Sequence, residues 1–212
     1  MNVFVFDIET IPQRAPLSEI QEEELSKRMS RSYQDMDENE RRRLIMGTTP
    51  AFGEIVCISY AKYTSKTNTE EIDSIIGEEP DILQIFWNKI SSFRGRFVHY
   101  NGLSFDVPWI LLRTIHHGLK PLNKEFSNTR RFQTFPHYDC KQIIADWDWK
   151  NSISLQLACD FFGVPSPKEG EIKAQDVAQA FEDGRIKAIA EYCERDVIAT
   201  AKVYKKLLAI KS

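Results

Sequence analysis

The chain has 212 residues, enough for one domain with an insertion. At 42% hydrophobic and 28% charged it can bury a full core, and no segment approaches the ~20 apolar residues of a membrane span. A net charge of −3 excludes the strongly basic coat of a non-specific duplex binder, and four scattered cysteines without a Cys-x-x-Cys pair argue against zinc.

The apolar start carries Asp7 and Glu9 and has no basic region before it. A secretory signal does not look like this, so a cytoplasmic protein with reduced thiols is expected.

Residues 2–8 are apolar on both alternating faces, the pattern of a strand buried on both sides near the middle of a sheet. Residues 13–50 then interrupt the plan with a charged stretch that has Glu22–Glu24 at one end and Arg41–Arg43 at the other. A helical or mobile insertion is expected there, presenting a solvated face or, alternatively, a flap over a substrate. A second strand covers Glu54–Tyr63, and a third, weaker one lies near Glu70–Ile76, ended by Gly77 and Pro80. Asp81 is expected to cap an amphipathic helix carrying Ile82, Leu83, Ile85, Phe86 and Ile90.

A short strand is predicted over Arg96–Tyr100, followed by a turn at Asn101–Gly102. Ser104 is the expected N-cap of the next helix, with Pro108 in its first turn and Gly118 at its stop. His137–Cys140 reads as a strand feeding a helix near Lys141–Trp147. Ser154 starts another helix that Gly163 and Pro165 stop, and two more lie near Ala174–Glu182 and Arg185–Ile210. The expected fold is α/β, a mixed sheet with the first two strands antiparallel, the later ones parallel, and helices on both faces.

Four carboxylates fall in three separated motifs: Asp7-Ile8-Glu9, Asn101 to Asp106, and Tyr192 to Asp196. Asp7 and Glu9 are two apart on a strand and share one face, at the C-terminal end where open α/β sheets place ligands. Alone, this pair is a strand ending in polar residues, but a charge so deep in an apolar run needs a partner. Asp106 sits in a first helical turn, where dipole stabilisation is its simplest role. Tyr192 and Asp196 are four apart and neighbours on one helix face, whereas Glu194 and Arg195 project elsewhere as surface residues. Together the four carboxylates can converge on one sheet edge, and oxygen-only ligands select Mg²⁺ or Mn²⁺. Two such ions clamp the attacking and leaving oxygens of an in-line displacement, with Asp7 best placed to bridge them. The histidines His99, His116, His117 and His137 show no ligand spacing and read as structural.

With these motifs the chain resembles the DEDD-type 3′–5′ exonucleases of the RNase H-like superfamily, in the tyrosine subclass. Phe6-Asp7-Ile8-Glu9-Thr10, Tyr100-Asn101 through Phe105-Asp106, and Tyr192 through Asp196 correspond to the three exonuclease motifs. The nearest likeness is to stand-alone bacterial proteins related to the proofreading domain of family-B DNA polymerases. His137-Tyr138-Asp139, Ser154-Leu155 and Phe162 to Pro165 support it. The resemblance covers nearly the whole chain and is weakest over 13–50.

The resemblance implies a five-stranded sheet of order 3-2-1-4-5. It implies catalytic Asp7, Glu9, Asp106, Tyr192 and Asp196, the four carboxylates holding two divalent ions, and release of nucleoside 5′-monophosphates from a free 3′ end. Substrate contacts are expected from Asn101, Ser104, Phe105 and Thr10, with Phe105 either a wedge at the terminal base or a core contact. Asp139 is expected to touch the site rim, while Asp196 fits the late-helix carboxylate better. Phe132 and Phe135 beside Arg130-Arg131 read either as a stacking surface for a single strand or as a charged loop with two packed rings. The expected substrates are single-stranded DNA or RNA 3′ ends, DNA favoured, in editing, repair or RNA trimming. A polymerase or repair partner is compatible with a chain that leaves no room for a polymerase domain. The competing readings are a non-catalytic nucleic-acid-binding module and an RNase H-like endonuclease.

Overall fold

A computed structural model of the chain describes residues 1–64, 67–166 and 171–210. Its five strands are β1 (Val3–Pro12), β2 (Gly53–Thr64), β3 (Thr67–Ile76), β4 (Arg96–His99) and β5 (His137–Asp139), in the order β3-β2-β1-β4-β5. β1 pairs antiparallel with β2 and parallel with β4; β2–β3 is antiparallel and β4–β5 parallel. The order and the mixed orientation are those expected of an RNase H-like α/β fold.

The helices are α1 (Glu19–Met29), α2 (Glu38–Gly47), α3 (Glu79–Ile90), α4 (Asp106–His116), α5 (Cys140–Ile144), α6 (Leu155–Phe162), α7 (Val177–Glu182) and α8 (Ile186–Leu207). β1 separates them into layers because its alternate side chains leave opposite faces. Phe4, Phe6 and Ile8 enter a core shared with α3 and α4, in which Phe126 stands edge-on to Phe86, Trp87 and Phe97. Val3 and Val5 enter a second core under α6 and α8, and Ile11 a third with α7 and α8. Asp7 and Glu9 follow Val5 on the α8 side.

Residues 13–50 fold into the two helices α1 and α2. Ser18 caps α1 in a capping box with Gln21, and Asp37 caps α2. Leu25, Ile45, Met46 and Phe52 form a small core beneath them. Thr10 Oγ1 donates to Gly47 O at 2.6 Å, which ties the end of β1 to the end of α2.

Three local expectations are corrected. Asp81 is not the cap of α3: the helix begins at Glu79, Glu78 is the cap residue, and Pro80 occupies the first turn. The reason is Glu79, whose buried carboxylate accepts from Arg113, from His117 and from Ile55 N–H, so the chain must turn helical there. Ser104 is exposed and does not cap α4; Phe105 is the cap residue and makes no side-chain cap bond. α5 is shorter than expected, ending at Ile144, because Asp139 caps it and Asp146 and Trp147 take left-handed backbone angles.

Candidate active site

β1 pairs with β4 only through Val5. Beyond that point β4 diverges and α4 begins in the gap. Asp106, at the first position of α4, accepts the Ile8 N–H at 3.1 Å through Oδ1. A carboxylate thus replaces a strand at the sheet's edge, which brings α4 beside Asp7 and Glu9.

On the other side of β1 a bulge shapes the site. Glu9 pairs with Cys57 and Thr10 with Ile55, so β2 carries Val56 as an extra residue. Val56 and Cys57 both face the α7–α8 core. α8 crosses this face with Tyr192, Cys193 and Asp196. Cys193 Sγ lies 3.4 Å from Asp7 O and 3.6 Å from its Oδ2. Ligand atoms of Asp7, Glu9 and Cys193 lie within 4.8 Å of one another.

The electrostatics record the convergence of all four carboxylates. Asp7 is held well above the usual carboxylate range by burial, then by the charges of Asp106, Asp196 and Glu9. Glu9 is raised by burial and by Asp196, Cys57 and Asp106. Burial pushes Asp106 up to about 7, with Asp139 and Asp196 adding to it and the backbone N–H groups of Asp106 and Ile8 opposing. Asp196 rises to about 6, mainly through burial, against the Tyr192 hydroxyl and Arg195. Among the described residues no lysine or arginine forms a salt bridge with any of the four. The Glu9 side chain, nine-tenths buried, has no hydrogen-bond partner among the described residues. Carboxylates gathered with only Arg195 nearby as an opposing charge suit a hard divalent cation.

The turn ahead of Asp106 is built from buried polar groups. Asp139 accepts from Asn101 N–H at 2.9 Å and Leu103 N–H at 3.1 Å, and also caps α5 through Lys141 and Gln142. Asp139 is therefore buried beneath the turn and does not line the rim. Asn101 takes a left-handed φ of 71°, which asparagine tolerates. Gly102 N–H donates to His99 Nδ1 at 3.0 Å, and any Cβ at Gly102 would run into the His99 ring.

The histidine tautomers follow from this chain of bonds. His137 Nε2 donates to Phe126 O, so its Nδ1 accepts from His99 Nε2, and His99 Nδ1 stays free to accept from Gly102. Both rings are neutral. Burial lowers each to about 3, and the 3.6 Å approach of His99 to Asp139 is not an ion pair. The unfolded chain takes up these protons near pH 6.5 and the folded one only near 3. Stability is therefore complete above pH 6.5 and falls through the window down to about 3, by about 1.4 kcal/mol per pH unit for each histidine. Proton NMR is expected to show two imidazoles that do not titrate between pH 8 and 4; titration of all four near pH 6.5 would contradict this arrangement.

The remaining candidates divide. Phe105 is half-buried, with its ring 5.7 Å from Trp109 against the main core. The Thr10 hydroxyl is engaged with Gly47. Glu194, expected on the free surface, instead accepts from Ser74 Oγ at 2.6 Å and pins α8 to β3. Arg195 lies over the Tyr192 ring, 5.7 Å from its centre. Sequence reasoning missed Cys193 as a neighbour of Asp7, although its place between Tyr192 and Asp196 on a helix crossing a β-strand was the available signal.

A family model described as "predicted 3′–5′ exonuclease related to the exonuclease domain of PolB" matches residues 49–212. No curated protein matches the chain. The matched span contains Asp106, Tyr192 and Asp196 and begins just after α2; Asp7 and Glu9 precede it, and the fold brings them to the same place. The chain belongs to this family of predicted 3′–5′ exonucleases related to the exonuclease domain of PolB.

Proposed function

We propose that the protein is a metal-dependent 3′–5′ exonuclease that removes nucleoside 5′-monophosphates from single-stranded or frayed 3′ ends, DNA favoured. The observation that carries this reading is the meeting of Asp7, Glu9, Asp106 and Asp196, from a strand and two helices, beside Tyr192. Two divalent ions, Mg²⁺ or Mn²⁺, bound by these carboxylates would supply water activation and stabilisation of the departing 3′ oxygen. The chain's own groups provide the rest. Asp7 and Glu9 are fixed by the central strand, Asp106 by its bond to Ile8, and Asp196 by α8. The N–H groups from Asn101 to Phe105 are all taken up within the turn and by Asp139 and His99, so the turn contributes by holding Asp106 at the helix start.

Tyr192 acts by orientation. Its hydroxyl is pushed above the ordinary tyrosine value by burial and then by Asp196, Glu9 and Asp7, so it keeps its proton and donates. Tyr192→Phe is expected to lower the turnover rate by on the order of 10–10²-fold, the scale of a lost positioning contact. Binding of Mn²⁺ by calorimetry should persist; its disappearance would make Tyr192 part of the metal site.

The raised carboxylates also set the response to pH and metal. Asp106 and Asp196 keep their protons in the folded chain well above the unfolded value near 3.9. Without metal, stability from this source falls as pH rises from about 4 to about 7. A cation that binds the ionised forms reverses the trend, so Mg²⁺ is expected to raise Tm more at pH 8 than at pH 5. An equal rise at both would remove these groups from the metal site.

The function itself is tested with 5′-labelled single-stranded DNA and RNA carrying free or blocked 3′ ends, in Mg²⁺, Mn²⁺ or EDTA. A ladder shortening only from free 3′ ends, absent in EDTA, is expected. No shortening of either strand with either metal would overturn the catalytic reading, and cleavage of a circular strand would make the enzyme an endonuclease.

A further inference from the structure

Resting on the exonuclease reading, we propose that Phe132, Trp147 and Trp149 form a stacking ledge for the unpaired nucleotides upstream of the scissile end. Two large rings, Phe132 and Trp149, are held out where burial would be favourable, and Trp147 beside Phe132 is half-buried. Phe132 is 74% exposed and Trp149 76%, and the Phe132 ring meets Trp147 at 5.2 Å between centroids. Apolar rings of this size are usually withdrawn from water, and contiguous exposed ones mark interaction sites.

The chain just after Trp149 is tied to the turn of the candidate site. Tyr100 Oη, at the head of the Asn101–Asp106 turn, donates to Ile153 O at 2.9 Å. Trp149 starts the 3₁₀ turn Trp149–Asn151 just before Ile153. Four residues span at most ~14 Å of chain, so the ring begins within a short single strand's reach of the turn. Asp148, itself exposed, caps this 3₁₀ turn through Lys150 N–H.

The chemistry of the ledge selects one occupant. Arg130, Arg131 and Lys150 are exposed and, among the described residues, form no salt bridge. Asp146 and Asp148, also exposed, are opposing charges in the loop, leaving the cations of Arg130, Arg131 and Lys150 in excess. Bare rings interleaved with unpaired cations suit bases and phosphates of a single strand, whereas a protein partner would call for a continuous apolar face. A duplex keeps its bases stacked inside and offers the rings nothing.

The test has two arms. In EDTA, where nothing is hydrolysed, oligothymidylate is expected to quench tryptophan fluorescence, because Trp87 and Trp109 are each only 1% exposed and the accessible signal comes from Trp147 and Trp149. A blunt duplex should quench far less, and the Phe132→Ala/Trp149→Ala double variant should lose most of the effect. Both rings are exposed, so their removal opens no cavity. With metal, the same variant should raise KM for a long oligothymidylate on the order of tenfold more than for the thymidine dinucleotide. An equal change at both lengths, or quenching that survives the double variant, overturns the ledge. If the wild type quenches but hydrolyses nothing, the ledge stands and the exonuclease reading falls; hydrolysis without quenching or length dependence leaves the opposite result.

Discussion

Asp7→Asn is expected to abolish nuclease activity, by on the order of 10³-fold or more, while making the metal-free protein more stable. A lost transition-state donor alone removes ~10²–10³ of rate, and Asp7 stands where Asp106, Asp196 and Glu9 all act on it. Its removal therefore disturbs binding of any cation shared among them. The same feature fixes the sign of the stability change. In the empty site an ionised Asp7 is half-buried and repelled from three sides, and the amide is isosteric and neutral. At pH 8 in EDTA the variant should melt higher, by about 2–4 °C for each ~1 kcal/mol of repulsion relieved. Magnesium should reverse the order, stabilising wild type and not the variant. Calorimetry beside an oligonucleotide gel reads both. A variant that melts lower in EDTA, or that keeps wild-type activity, would remove Asp7 from the centre of the carboxylate cluster.

The largest loss of stability is expected far from the chemistry, at Glu79→Ala. Glu79 is 2% exposed and accepts from Arg113 at 2.6 Å, His117 at 2.6 Å and Ile55 N–H at 2.8 Å. Burial works against its charge, yet these donors hold its pKa below the ordinary value. Truncation leaves the Arg113 guanidinium buried with only Pro50 O as a partner among the described residues and orphans the Ile55 amide of β2. Breaking a buried pair from one side costs about 3–5 kcal/mol, a fall in Tm of roughly 6–20 °C for a chain of this size. Glu79→Gln, which still accepts, should lose less. A drop under ~1 kcal/mol in urea unfolding would mean the network is dispensable.

The central strand was legible because an apolar run on both faces has few other solutions, and the sheet order followed from the motif resemblance. Asp7, Glu9, Tyr192 and Asp196 could be placed from strand and helix periods alone. Helix starts were less legible where a tertiary bond, not a local cap, decided them. Glu79 begins α3 because Arg113 and Ile55, distant in sequence, require a carboxylate there. Asp139 looked like a rim residue because nothing local reveals that four backbone N–H groups converge on it. Glu194 looked solvated because Ser74, its partner, lies 120 residues away. The fold of residues 13–50 rests on a small core of Leu25, Ile45, Met46 and Phe52 that charge runs concealed.

On the proposed reading Asp106 divides its duties between architecture and chemistry. One oxygen closes the sheet by taking the amide of Ile8, a position a longer β4 would have filled. Alanine at this position would empty the site and also strand a main-chain donor in the interior, so inactivity there has two readings. Asparagine can still accept from Ile8 through its carbonyl oxygen and isolates the loss of charge. The sheet is thus finished by a residue of its own candidate site, and on the proposed reading the backbone of β1 is a party to whatever the carboxylate binds.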